Sequence, residues 1–515
     1  MDSPLFPWLE KRHAGVLLHP TSLPGDLGIG QLGREARRLV DFLAAAGIRY
    51  WQLCPMGPTG YGDSPYQCFS SHAGNPYLID LQALVGFGLL KDSELKPLRQ
   101  LPHEYVDYGS LYQRFWPILE LACQRYGAKP EGLSGYGSYV EFCEKEADWL
   151  TPYAAFTACK AHFKGKPWFE WPKKLCTYRG FQKSDLAQAL DSQMDAVRFT
   201  QYLFFAQWRQ LRAYAAEKGV GIIGDVPIFV ALDSADVWTR PELFQLGKDG
   251  QPTAVAGVPP DYFSPLGQLW GNPLFDWEQH KKDGYAWWIQ RLEANFRLYD
   301  VVRLDHFRGF ESYWSIPAGA KDARGGKWEA GPGLDFFRAV QKAIPEAKLI
   351  AEDLGDITPE VRAMHTATGL PGMAILQFAF GSGPENLYLP HNLSRNSATY
   401  PGVHDNDTTL GWYRSADGAT QDHFRRYFGV DGSVPQWDCV RAAYRSVSRL
   451  AVIPMQDLMN LGSEARLNRP GEAAGNWQWR YHAEQLDTLW RGSATYLRGL
   501  AELYGRLEPE DTSSK

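Results

Sequence analysis

Three segments of this sequence place acids directly behind apolar, β-branched runs. In Asp300-Val301-Val302-Arg303-Leu304-Asp305-His306-Phe307-Arg308-Gly309, Arg303 and Asp305 stand two residues apart. On a strand they share a face, so the guanidinium can hold the carboxylate ionised beside it. Lys348-Leu349-Ile350-Ala351-Glu352-Asp353-Leu354-Gly355 repeats the arrangement, an apolar run, two carboxylates and a glycine. Asp353 suits an N-cap for the following helix, whereas Glu caps less well, which leaves Glu352 as the functional candidate. His404-Asp405-Asn406-Asp407-Thr408-Thr409 forms the third cluster. Each cluster taken singly also fits a structural role as an ion pair, a cap or a turn. Three strand ends carrying carboxylates point to a shared site.

Two carboxyl groups about 5 to 5.5 Å apart, one nucleophilic and one protonated, are what retaining glycoside chemistry requires. Repulsion among clustered acids raises one pKa and keeps Glu352 protonated, while Arg303 keeps Asp305 ionised for attack. The third acid, Asp405, can stabilise substrate and transition state. A calcium site over 404–409 lacks the spacing and glycine of an EF-hand loop. No metal and no cofactor are expected.

The elements that must carry these acids are legible as eight short apolar runs: 14–19, 50–54, 221–230, 301–305, 349–353, 375–380, 400–405 and 452–457. Helical patterns over 33–46, 198–218, 285–298, 334–344 and 437–451 lie between several of them. Such alternation predicts parallel strands with helical crossovers, and eight strands predict a closed (β/α)8 TIM barrel, whose sites lie at the C-terminal rim. About 160 residues separate the second and third runs, far more than a loop holds. The expected organisation is a catalytic barrel from 1–55 and 200–515 with a mostly helical inserted subdomain at 56–199. A Gly-, Pro- and aromatic-rich stretch over 233–273 reads as a structured loop. No separate C-terminal β domain is expected.

Of the 515 residues, 44% are hydrophobic, enough for a large core, and the net charge of -6 comes without a basic run. That balance argues against nucleic acid or an anionic membrane as partner. Seven cysteines, odd in number and without a C-x-x-C pair, read as reduced core residues. The first residues lack a signal pattern and no window approaches a membrane span, so a soluble cytoplasmic protein is expected. Gly28-Ile29-Gly30-Gln31-Leu32-Gly33 matches a dinucleotide fingerprint, yet no strand immediately precedes it and no acid follows at the ribose position. Aromatic residues beside Gly and Pro, among them Tyr66, Tyr262, Phe263, Trp270 and Trp477, suit the apolar faces of sugars. The 250–273 loop, with Tyr262 and Phe263, is expected to cover the cleft and disfavour water.

Almost end to end, the chain resembles the 4-α-glucanotransferases called amylomaltase or disproportionating enzyme, glycoside hydrolase family 77 of the α-amylase clan. The likeness runs through His13-Ala14-Gly15-Val16-Leu17-Leu18-His19-Pro20-Thr21-Ser22-Leu23-Pro24-Gly25, Asp63-Ser64-Pro65-Tyr66-Gln67, Gly224-Asp225-Val226-Pro227-Ile228-Phe229, the three acid clusters and Asn476-Trp477. It implies Asp305 as nucleophile, Glu352 as general acid/base and Asp405 as transition-state stabiliser. Asp225, Arg303, His306 and His404 would bind sugar at the cleavage point, with Tyr66 and Trp270 along the path. α-1,4-Glucans and maltooligosaccharides are the implied partners. A retaining α-glucan hydrolase uses the same acids, and an inactive glucan-binding barrel shares the fold.

Overall fold

The computed structural model describes residues 3–127, 132–260, 264–472 and 474–507. Among them run twelve strands: β1 (His13–Leu17), β2 (Tyr50–Gln52), β3 (Gly221–Val226), β4 (Ala254–Val258), β5 (Gln268–Pro273), β6 (Val301–Leu304), β7 (Ser312–Pro317), β8 (Lys327–Ala330), β9 (Leu349–Ala351), β10 (Gly372–Ile375), β11 (Ser397–Tyr400) and β12 (Leu450–Pro454). Eight of them pair in parallel in the order β10-β11-β12-β1-β2-β3-β6-β9. The ring closes where the Ala351 amide donates to the carbonyl of Pro371, just before β10, at 2.9 Å. The result is a (β/α)8 barrel.

Alternation along each strand divides the core in two. Leu17, Tyr50, Ile223, Val301, Ile350, Met373, Tyr400 and Val452 pack together inside the barrel. Their neighbours Val16, Trp51, Ile222, Val302, Leu349 and Ile453 belong to the larger core shared with the helices. This two-residue step decides what emerges at the mouth. From Leu17 it leads to His19, from Ile223 to Asp225, from Val301 through Arg303 to Asp305, and from Ile350 to Glu352.

Three strands sit earlier than their apolar runs predict. The run over 375–380 leaves β10 after Ile375 and turns as a 3-10 helix, Leu376–Phe378. β11 hides behind polar residues: Ser397 and Thr399 face away from the barrel interior and share the Ser448 hydroxyl at 2.7 and 2.5 Å. β12 ends at Pro454, where Met455–Leu458 begins a helical turn. The helix expected to reach 451 stops at Arg445, before β12.

The stretch over 233–273 is more than a loop. It contributes β4 and β5, which join β7 and β8 in a second, antiparallel sheet ordered β5-β4-β7-β8. Gly257 interrupts the alternation that would have marked β4. A Cβ there would lie 2.1 Å from the Gln268 carbonyl oxygen, so glycine permits the close approach of β4 and β5.

Between β2 and β3 lie the helices Tyr108–Tyr126, Tyr139–Lys145, Ala147–His162 and Asp191–Glu217. The last runs across the expected boundary at 199/200. Lys160 pairs with Asp233 after β3, and Trp168 donates from its amide to Asp233 (3.2 Å) and from its indole to the Leu232 carbonyl (2.7 Å). At the glycine-rich turn, Gly33 starts the helix Arg34–Ala45, and the Asp80 carboxylate lies 2.6 Å from where a Gly33 Cβ would stand. That carboxylate, which caps the helix Leu81–Gly86 through the Gln82 amide at 3.0 Å, fills the space beside the turn. No helix among the described residues is long and apolar enough to cross a membrane.

Near the end of the described chain, Arg506 is buried at 1% exposure. Its guanidinium donates to six carbonyls, those of Tyr444 (2.8 Å), His13 (2.9 Å), Arg449 (3.2 Å), Ala443 (3.1 Å), Ser446 (3.3 Å) and Ser448 (2.9 Å). These lie at the end of the helix Pro435–Arg445 and where β1 and β12 begin, so the side chain ties the segment after the helix Ala483–Leu503 to the barrel floor. Arg506→Met strands several buried acceptors and is expected to cost about 3–5 kcal/mol. Denaturant melts should show it, with Arg506→Lys recovering little because an ammonium cannot reproduce the planar fork.

Candidate active site

Arg303 organises the mouth. It is 4% exposed, and its Nη1 donates to both Asp225 carboxylate oxygens (2.9 and 2.7 Å) while lying 2.9 Å from Asp305 Oδ1. Its Nε is 3.3 Å from the Met373 sulfur. One buried cation therefore faces two acids from neighbouring strands. Burial pushes Asp225 up to about 6 against the pull of Arg303, with the Asp305 charge adding to the rise. Tyr66 donates its hydroxyl to Asp225 Oδ2 at 2.8 Å. Asp305 remains open to a ligand, with its side chain 26% exposed.

Glu352 follows β9, which pairs with β6 in the register Leu304↔Ala351. Asp305 and Glu352 thus leave adjacent strands at the same level. Two amides hold the Glu352 carboxylate, His306 N–H on Oε2 (2.7 Å) and Leu354 N–H on Oε1 (3.0 Å). Burial nevertheless carries its pKa up to about 7: Arg303 and the two amides oppose the rise, and the Asp305 charge favours it. His306 can aim its amide this way because it adopts a left-handed conformation, φ 53°. That backbone costs a non-glycine residue about 1 kcal/mol or more, and such strain clusters at functional sites. The His306 imidazole is half-buried; burial lowers its pKa to about 4, and it meets Trp270 of β5 edge-on at 5.0 Å.

The third acid is differently set. Asn468 donates to Asp405 Oδ1 at 2.6 Å, His404 Nε2 lies 3.3 Å from the same oxygen, and Arg466 donates to the Asp405 carbonyl at 2.7 Å. Burial works to raise Asp405, but His404 and Asn468 outweigh it and hold the carboxyl at about 2. In return Asp405 raises the pKa of His404 against burial. The His404 ring stacks on Tyr66 at 5.0 Å and lies 5.6 Å from Trp477, itself left-handed at φ 64°. Tyr66 links this corner to Asp225 and so to Arg303.

The structure therefore gathers Tyr66, Asp225, Trp270, Arg303, Asp305, His306, Glu352, His404 and Asp405 through one chain of contacts. Tyr262 and Phe263 lie outside the described residues. The neighbouring acids do structural work. Asp353 accepts from the Met373 amide at 2.7 Å and fixes β10, while Thr358 caps the next helix, which corrects the capping role open to Asp353 from sequence. Asp407 accepts from Ser463 at 2.6 Å. Among the described residues no cluster of His, Cys, Asp and Glu could hold a metal ion.

Sequence reasoning missed His19, Asn468 and Arg466. His19 is buried near His404 and its pKa falls to about 3, through burial first and the His404 charge second. The step from Leu17 could have found it. Asn468 and Arg466 arrive from a loop some sixty residues downstream with no local pattern to mark them.

The 4-alpha-glucanotransferase family model matches residues 18–486. A 4-alpha-glucanotransferase of Thermus thermophilus is 48% identical over 509 residues, covering 96% of this chain and 99% of that protein. A chloroplastic/amyloplastic 4-alpha-glucanotransferase of Solanum tuberosum is 39% identical, covering 97% and 87%. The solved amylomaltase of Streptococcus agalactiae in complex with acarbose superposes with a TM-score of 0.92 at 37% identity, covering 97% and 100%.

Proposed function

The chain belongs to the 4-α-glucanotransferase family, glycoside hydrolase family 77, and has that transferase activity; on this premise we propose that Asp305, Glu352 and Asp405 carry it by a retaining double displacement. One observation carries the assignment: a single buried guanidinium grips Asp225 and Asp305, while the carboxyl on the next strand is held near pKa 7. Parallel strands lie about 4.8 Å apart, a spacing that suits two carboxyl groups acting on one glycosidic bond with a covalent intermediate.

Asp305 attacks the anomeric carbon of an α-1,4-glucan, and the Glu352 proton passes to the glycosidic oxygen as that bond breaks. The departing glucan leaves with a free 4-hydroxyl, and the retained sugar is esterified to Asp305. Glu352, now ionised, takes the proton from the 4-hydroxyl of an incoming glucan, whose oxygen displaces Asp305 and restores the α configuration. Asp405, kept ionised by His404 and Asn468, faces the positive charge that develops on the sugar. Tyr66, Asp225, Arg303, His306 and His404 hold the ring at the cleavage point, and Trp270 offers its face to the chain beyond.

Maltooligosaccharides are the small partners in this proposal. The segment from 56 to the start of the helix Asp191–Glu217 acts as an inserted subdomain that buttresses the cleft, supported by the Lys160 and Trp168 contacts to the segment after β3. A cytoplasmic location is supported by cysteines that all remain free thiols. Incubation with maltotriose tests the reaction course. Glucose together with a ladder of longer oligosaccharides is expected; products that are all shorter than maltotriose would mean that water, rather than a glucan, intercepts the intermediate.

A further inference from the structure

Arg308 stands three residues past Asp305, in the turn Phe307–Phe310, and is 5% exposed. Its guanidinium reaches three other segments. Nη1 donates to the Asp356 carbonyl (2.5 Å) and lies 3.5 Å from the Asp356 carboxylate. Nη2 donates to Ser312 Oγ on β7 at 3.3 Å, and that hydroxyl in turn donates to Glu311 at 2.5 Å. The guanidinium carbon sits 3.7 Å from the ring centroid of Trp328 on β8. Trp328 is 38% exposed on an edge strand, where Arg308 stacks on its ring and Trp314 of β7, its cross-strand partner, meets it edge-on at 5.1 Å.

What Arg308 connects matters for Glu352. The two amides on the Glu352 carboxylate come from His306, which leads directly into the turn containing Arg308, and from Leu354, in the loop containing Asp356. Turn and loop issue from different strands, β6 and β9. The loop is anchored at its start, where Asp353 accepts from the Met373 amide and Leu354 packs on the barrel interior, but its far end is not: Gly355 is left-handed at φ 90° and the Asp356 side chain is 75% exposed.

We propose that Arg308, stacked on Trp328, is a positioning residue that locks the 352–356 loop against the His306 turn and so aims the Glu352 carboxyl at the scissile oxygen. This rests on the acid/base role proposed for Glu352. The guanidinium is suited to it because one rigid plane can stack on indole and donate in two directions, which an ammonium cannot do. Without the lock the loop lifts, water reaches Glu352, and the misplaced proton donor slows chemistry more than binding. A displacement of about 1 Å can cost about a hundredfold in rate.

The test compares the parent with Arg308→Met, Arg308→Lys, Trp328→Leu and the double variant, reading kcat and KM on maltotriose, the pH profile of kcat/KM, and thermal stability. Arg308→Met is expected to lower kcat about 10- to 100-fold with KM within about threefold. Lysine should restore only a small part. The double variant should be no slower than Arg308→Met, because both residues act through one contact. The charged and titratable groups facing Glu352 are Arg303, Asp305 and Tyr388, and all of them remain in every variant. Burial is the largest influence holding the Glu352 pKa up and outweighs the opposing Leu354 amide; loosening the loop weakens both, and because burial is the larger the alkaline limb should move down.

A kcat within twofold of the parent, an unmoved alkaline limb, or effects of the two substitutions that multiply would overturn the proposal. Should Arg308→Met fail to fold, Trp328→Leu on the exposed edge decides by the same kcat and pH criteria. A fully active Glu352→Gln would remove the acid/base role itself; an inactive Glu352→Gln beside an unaffected Arg308→Met removes only the role of Arg308.

Discussion

Asp305→Asn is expected to abolish transfer, lowering kcat/KM on maltotriose by about 10⁴-fold or more, because a neutral amide cannot form the covalent ester that divides the reaction. That loss corresponds to about 5.5 kcal/mol of transition-state stabilisation. The fold should survive. Asparagine is nearly isosteric, and Arg303 keeps its two hydrogen bonds to Asp225 at 2.9 and 2.7 Å. Glucose release measured by a coupled assay, alongside an unchanged circular dichroism spectrum, separates lost chemistry from lost structure. An Asp305→Asn enzyme retaining a tenth of parental activity would dismiss Asp305 as nucleophile.

Glu352→Gln should be nearly as damaging, by about 10²- to 10⁴-fold, the usual contribution of a positioned acid/base. Its signature lies in the pH profile. In the parent, burial holds Glu352 at about 7; the protonated acid is the form that starts the reaction, so kcat/KM should be full well below that pH and fall as pH rises through it. Glu352→Gln should erase this alkaline limb. A maltosyl fluoride donor should partly bypass the defect, since fluoride departs with little protonation, and the Asp305 ester should then accumulate for want of a base. Intact-protein mass spectrometry would register the adduct as added sugar mass. Persistence of the parental alkaline limb in Glu352→Gln would transfer the acid/base role to another group, with Asp225, at about 6, the first to examine.

The site was largely legible from local rules because its acids obey strand parity. Arg303 and Asp305 share a face through their two-residue step, and Glu352 continues the inward row from Ile350. Residues whose effect depends on a contact made far along the chain left no such trace. Asn468 reaches Asp405 from a loop after β12, and Arg308 looks like one more charge in an acid-rich motif until Trp328 and Asp356 are seen against it. The second sheet was hidden for a different reason: Gly257 is needed for close strand approach and thereby removes a side chain from the alternating pattern. β11 was displaced by its outward Ser397 and Thr399, which are satisfied by Ser448 rather than exposed to water.

Amino-acid order alone determined the eight parallel strands, the place of the large insertion and the three acids at strand ends, because periodicity and residue type act over a few neighbours. Tertiary structure alone decided how the acids at the mouth differ. The carboxyls of Glu352, Asp225 and Asp405 stand at about 7, 6 and 2, although all three follow similar apolar runs. Burial, the shared Arg303, and the His404 and Asn468 partners separate them, and each of those influences depends on distances set only when strands far apart in the chain meet at one rim.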